Sequence, residues 1–266
     1  MDCESWYVFA HVLGSQIWSA RSEKLVIIAS GAEPWFTSWN FQALQSLFRV
    51  LPHTSLGVSL ARFFLENPLL TTWVYAAVSY VYWSKRDDQQ EARRVQLLRT
   101  VAACVLAVTV ADLVDLKIGW PSPARTPTFQ ALFPHYLWGI GTENSFPSHS
   151  TLAYLTVAIG LLRLNRIAGW VLIPLTFLAI SLPRVYLGGH YFIDLGGSII
   201  LSLLAVVAVD LLLASPRCVH VFKWALSQGV TTELFFFFWI YELGEGFRGV
   251  EDMLHFVLKL GRSLLS

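Results

Sequence analysis

Charged side chains are scarce in this chain. Only 14% of its 266 residues are Asp, Glu, Lys or Arg, where a soluble domain carries about 25%. Hydrophobic residues make up 55%, and the mean hydropathy is +0.54. An ordinary soluble fold is thereby excluded. A net charge of only +1 offers nothing to a polyanion, so nucleic acid is not a partner. Cysteine is nearly absent too. Cys3, Cys104 and Cys218 are far apart, without a CxxC or a Cys/His cluster, and form neither a disulfide framework nor a metal site. No motif asks for an obligate protein partner. The start, Met-Asp-Cys-Glu, is acidic where a secretory leader would be basic, which predicts no cleaved leader.

What the chain has instead is long apolar runs. A bilayer span needs roughly 20 mostly apolar residues. The runs at 69–83, 97–116, 151–162 (extended at its start), 167–182 and 192–214 qualify, the first and third with help from their flanks. Pro174 predicts a kink in the fourth. The expected fold is all-α: a polytopic transmembrane bundle of five to six spans, with interfacial helices at the N-terminus. We divide it into residues 1–65 (amphipathic, interfacial), 66–215 (the transmembrane core) and 216–266 (a membrane-associated helical region). In the first part, Leu44, Leu47, Phe48 and Leu51 recur at helical spacing, and Trp6, Trp18, Trp35 and Trp39 suit interface anchors. In the last, the apolar run from Leu234 to Tyr241 is open to three readings: re-entrant, interfacial or a sixth span.

Basic residues sort the loops. Lys85, Arg86, Arg93, Arg94 and Arg99 crowd the first connection, Arg163 and Arg166 the third, and Arg217 and Lys223 follow the last span. The positive-inside tendency makes these cytoplasmic. The remaining connections, 117–146 and 183–191, then face outward, and all the polar clusters lie in or beside them.

Three of those clusters suit phosphate chemistry. Lys117 and Arg125 flank a Pro-rich stretch that can hold two cations rigidly, although a lysine at a span end can also simply snorkel. Pro147-Ser148-His149-Ser150 opens a span. Its backbone N–H groups and helix dipole favour an anion, and a histidine there can protonate a leaving oxygen; Ser148 or Ser150 as a plain N-cap is the simpler alternative. The run from Arg184 to Asp194 joins a guanidinium, whose fork matches phosphate oxygens, to His190 and Asp194. Their i, i+4 spacing predicts a shared helix face, with the carboxylate holding one ring nitrogen. Asp112 and Asp115 read as a counter-charge or helix-end pair rather than metal ligands.

Together these stretches resemble the type 2 phosphatidic acid phosphatase superfamily of membrane lipid phosphatases, whose pattern is Lys-x6-Arg-Pro, Pro-Ser-x-His and Ser-Arg-x5-His-x3-Asp. The likeness covers about residues 116–197. The third motif fits at full spacing. The chain departs elsewhere: seven residues separate Lys117 from Arg125, Thr126 precedes Pro127, Pro183 replaces the serine before Arg184, and one residue is missing between Ser148 and His149. The resemblance implies a lipid phosphate or polyprenyl pyrophosphate phosphatase that needs no metal or other cofactor. His190 would be the nucleophile that forms a phosphohistidine, Asp194 its support, and His149 the proton donor. Lys117, Arg125, Ser148 and Arg184 would clamp the phosphoryl oxygens. The substrate would be a lipid phosphate reached from the surrounding membrane lipids, past an entrance lined by Tyr186, Trp138 and Phe192. The setting would be a bacterial inner membrane with a periplasmic site, or an organelle with a lumenal one. A phosphotransferase using an alcohol acceptor, and a silent lipid-phosphate binder or transporter, are the alternatives.

Overall fold

The computed structural model describes residues 35–51, 54–132, 144–213, 215–227 and 229–244. The expected anchors Trp6 and Trp18, and Trp138, lie outside them. The chain divides into two compact units, Met1–Ala43 and Leu44–Ser266. In the first unit only the start of helix α1 (Trp35–Val50) is described. There Asn40 and Phe41 are buried and Trp39 is 58% exposed.

The second unit is helical among the described residues. It contains α2 (Ser55–Glu66), α3 (Pro68–Ser84), α4 (Gln90–Ile118), a 3-10 turn (Pro123–Arg125), α5 (Pro127–Leu132), α6 (His149–Leu164), α7 (Arg166–Leu175), α8 (Leu182–Tyr186), α9 (Phe192–Leu212), α10 (Pro216–Ser227) and α11 (Val230–Gly244). Among the described residues, three helical stretches are long and apolar enough to cross a bilayer: Gln90–Ile118, Arg166–Tyr186 and Phe192–Leu212. His149–Leu164 is apolar but shorter. Length and composition thus mark three of the expected spans among the described residues. α3, with 17 residues, is apolar and near the lower end of the length a span needs.

Small residues bring the long helices together. Ser198, Ser202, Ala205, Val206 and Val209 form the buried face of α9, and Ser202 Oγ donates to the Leu152 carbonyl on α6 at 3.1 Å. A hydroxyl bonded to a backbone carbonyl can lie at a helix contact in lipid without an unsatisfied group, and small side chains let the backbones approach. Gly160 on α6 shows how close. A Cβ there would lie 2.2 Å from Thr100 Oγ1 on α4. The opposite face of α9 exposes Ile200, Leu204 and Leu211, the side a lipid tail would cover.

Pro174, where a kink was expected, lies inside α7. The helix continues past it as a π-helical segment, Thr176–Ser181. Hydroxyls attend the carbonyls around this irregularity. Tyr75 Oη and Thr176 Oγ1 both donate to the Leu172 carbonyl, at 3.0 and 2.9 Å, and Ser181 Oγ donates to that of Thr176. Such side chains are what make a broken helix tolerable at membrane depth.

The basic end of the bundle is cross-linked by charge. Arg94 pairs with Glu233 of α11, Lys223 of α10 with Glu91, and Arg163 of α6 with Asp210 of α9. Arg99 donates to the Leu213 carbonyl. In the loop between α3 and α4, hydrogen bonding from Arg93 holds the Asp87 carboxyl below the usual carboxylate range. Helix α11 settles against this frame: Phe236 stacks on Trp83 at 4.1 Å, and the Leu243 carbonyl accepts from Tyr154 Oη at 3.0 Å. Its Phe236, Trp239 and Leu243 belong to the buried core.

Candidate active site

All three polar stretches meet at the other end of the bundle, and backbone groups stitch them together. Helix α4 stops at Gly119, whose left-handed backbone (φ +57°) turns the chain and whose N–H bonds the Asp115 carbonyl. The first stretch then pairs with the second through a Pro121–Asn144 bridge and a Ser145 N–H to Trp120 carbonyl bond of 2.7 Å. It joins the third through Ala124 N–H to the Gly188 carbonyl, 2.9 Å. Gly188 is required there on two counts: its φ is +74°, and a Cβ would meet the Phe129 ring at 2.6 Å. The second and third stretches are linked by Ser198 Oγ, which donates to the Ser148 carbonyl at 2.9 Å.

His190 completes the stitching. Its Nδ1 lies 2.8 Å from the Ser145 carbonyl oxygen. A carbonyl only accepts, so Nδ1 carries the proton and Nε2 of the neutral ring keeps its lone pair. The side chain is 8% exposed. Asp194 is close but differently employed. Its Oδ2 is 3.6 Å from His190 Nδ1 and 2.7 Å from the Tyr191 N–H. The expected helical pairing is therefore corrected. His190 precedes α9 rather than lying on it, Tyr191 is the N-cap, and Asp194 closes a capping box. Oδ1 of this fully buried carboxylate has no hydrogen-bond partner.

His149 begins α6, and its Nε2 lies 2.9 Å from Asp112 Oδ1 on α4. Asp112 is 5% exposed, and its second oxygen is buried without a partner. Sequence reasoning placed Asp112 as a counter-charge without finding its partner, which lies 37 residues away. Asp115 accepts instead from Asn144 Nδ2 at 3.0 Å. The two acids serve different groups.

Ser148 is the N-cap residue of α6 by position. Its hydroxyl makes no cap bond; it is fully buried and donates to Thr151 Oγ1 at 3.0 Å. Thr151 in turn bonds Ser181 at 2.9 Å, and Ser181 ends on the Thr176 carbonyl. That terminal acceptor fixes the direction of the chain, so the Ser148 proton is committed inward and its oxygen can only accept. The cations stand around the rim. Lys117 is exposed in the last turn of α4, Arg125 is exposed at the end of the 3-10 turn, and Arg184 on α8 is half-buried with Nη1 bonded to the Ile180 carbonyl. Tyr186 is buried under α2 and Phe48, whereas Phe192 is half-buried. Among the described residues, no group of three His, Cys, Asp or Glu side chains could hold a metal ion.

The chain is similar to membrane proteins of bacteria. It is 25% identical over 165 residues to the undecaprenyl-diphosphatase BcrC of Bacillus subtilis (strain 168), a match covering 62% of this chain and 79% of that one. It is 25% identical over 130 residues to the bacitracin transport permease protein BcrC of Bacillus licheniformis, covering 48% and 60%. YbjG of Escherichia coli (strain K12), provisionally named an undecaprenyl-diphosphatase, is 23% identical over 180 residues, covering 64% and 81%. No family model and no solved structure matches. These relatives bear out the resemblance to the type 2 phosphatidic acid phosphatase superfamily drawn from the three stretches, and with the apolar helices they make this an integral membrane protein.

Proposed function

We propose that the protein hydrolyses the diphosphate of a polyprenyl lipid, releasing inorganic phosphate through a phosphohistidine at His190, on the outward face of the membrane. One observation carries this reading: the Ser145 carbonyl holds His190 with its proton on Nδ1, which keeps a lone pair on Nε2. A ring held only to bind phosphate would be better protonated on both nitrogens.

In the first step the His190 Nε2 lone pair attacks the terminal phosphorus. The bond from phosphorus to the bridging oxygen breaks, and that oxygen takes a proton from His149, leaving as the lipid monophosphate. His190 becomes positive on phosphorylation, with Nδ1–H on the Ser145 carbonyl and the Asp194 carboxylate nearby to offset the charge. Water then attacks phosphorus and gives its proton to His149; the P–N bond breaks and phosphate departs. Lys117, Arg125 and Arg184 offset the negative charge of the phosphoryl oxygens. Positioning and charge compensation are most of what phosphoryl transfer demands, and these side chains supply them without a metal. The names of two relatives, undecaprenyl-diphosphatases, favour a diphosphate over a phosphomonoester.

The name of a third relative, a transport permease, favours a second reading, in which the same clamp carries a lipid phosphate without cleaving it. Purified protein in detergent, offered undecaprenyl diphosphate, phosphatidate and phosphatidylglycerophosphate, separates the two. We expect phosphate release, fastest from the diphosphate, and none from His190→Ala. Binding of the diphosphate with no release from the unmodified protein would favour the carrier. Phosphate appearing only on an added alcohol would point to a transferase.

A further inference from the structure

Asp112 lies near the outer end of the longest helix, in a membrane-embedded bundle where a carboxylate is costly. The three polar stretches do not include it. It is nonetheless 5% exposed and held against His149, with Oδ1 2.9 Å from Nε2. Its Oδ2 is buried and receives no hydrogen bond. A carboxylate so poorly satisfied is tolerable where its counter-ion is charged for part of the time, because an imidazolium compensates it better than a neutral ring does.

The geometry points to Asp112 as the positioning residue for proton transfer by His149, an inference that rests on the hydrolase reading above. The carboxylate accepts from Nε2–H, which fixes the neutral tautomer and stabilises the imidazolium. Proton exchange with the reacting oxygen then runs through Nδ1. As the phosphorus–oxygen bond breaks, Nδ1–H passes its proton to the leaving oxygen and the ring returns to its Nε2–H form. Nδ1 later takes the proton of the attacking water, restoring the imidazolium beside Asp112. This pairing also compensates for the sequence departure at Pro147-Ser148-His149. With one residue fewer before it, His149 becomes the first residue of α6, and the acid one helix away sets its ring.

The test is the isosteric change Asp112→Asn. We expect kcat with a lipid diphosphate to fall at least about tenfold, with KM within about twofold, since a positioned acid contributes about 10²–10⁴-fold. With p-nitrophenyl phosphate, whose leaving group hardly needs a proton, the loss should shrink to under about threefold. Asp112→Asn on top of His149→Ala should cost nothing further. Equal losses on both substrates, or losses that multiply in the double variant, would overturn the role. A second measurement needs no turnover. Nitrogen-15 NMR of the full chain in detergent should show the neutral His149 ring as the Nε2–H tautomer, and Asp112→Glu should retain that preference. An Nδ1–H ring in the unmodified protein would overturn the proposal even if the enzyme is active. If the unmodified protein releases no phosphate while the ring is Nε2–H, the hydrolase reading fails and the positioning contact stands.

Discussion

His190 takes its orientation from Ser145 rather than from its own helix: Nδ1 is 2.8 Å from that carbonyl and 3.6 Å from Asp194 Oδ2. A main-chain acceptor survives every substitution at position 145 except one that moves the backbone. Ser145→Ala should therefore leave kcat within about threefold. Asp194→Asn should cost far more, because it removes charge beside the ring that the proposed mechanism phosphorylates and weakens the capping bond to the Tyr191 N–H; loss of a cap alone costs about 0.5–2 kcal/mol. Rates for the two variants, normalised to folded protein, check this. A harsher effect at Ser145 would contradict it.

Gly188 joins the first and third stretches, so Gly188→Ala should weaken both stability and activity. A left-handed backbone costs a non-glycine residue about 1–3 kcal/mol, and the added methyl would meet Phe129 at 2.6 Å. The unfolding midpoint in detergent and the turnover rate should fall together.

Gly160 offers the opposite pattern. Gly160→Ala forces α4 and α6 apart against Thr100, with overpacking worth about 1–3 kcal/mol, but at the basic end of the bundle. The unfolding midpoint should drop while kcat per folded molecule holds. Adding Thr100→Ala should restore much of the loss. A large drop in kcat would mean that strain travels the length of α6.

Sidedness can be read by labelling. With Cys3, Cys104 and Cys218 replaced by serine, a cysteine at exposed Pro121 should react with an impermeant maleimide in intact cells. A cysteine at exposed Arg86 should react only after permeabilisation. The reverse pattern would overturn the outward placement of the site.

Chelation should leave turnover intact, since the charge compensation is assigned to Lys117, Arg125 and Arg184. Complete loss with EDTA, restored by a divalent ion, would contradict that assignment.

Much of this was legible in the sequence because lipid imposes simple demands. The runs at 97–116, 167–182 and 192–214 map onto the three long helical stretches, and Pro174 onto the π-helical segment that follows it. The meeting of the three polar stretches was readable from loop charge alone. Three things were not. The partner of His149 lies on another helix, and no local spacing reveals a contact across 37 positions. Asp194 obeys helical spacing relative to His190, but the glycines at 188 and 189 end one helix before the other starts, so periodicity did not apply. The inward-turned Ser148 hydroxyl depends on Thr151 and Ser181, and Ser181 comes from a different helix.

The two ends of the bundle are fastened by different means. At one, carboxylates grip guanidinium and ammonium groups that are partly wet, such as Lys223 with Glu91 at 57% and 59% exposure; at the other, amide meets carbonyl, and the pair of Asp112 with His149 is largely buried. Dissolved electrolyte screens the first fastening and barely touches the second. Brine should thus loosen this molecule first at its basic end, leaving the end that carries His149 and His190 as the last part to lose its grip.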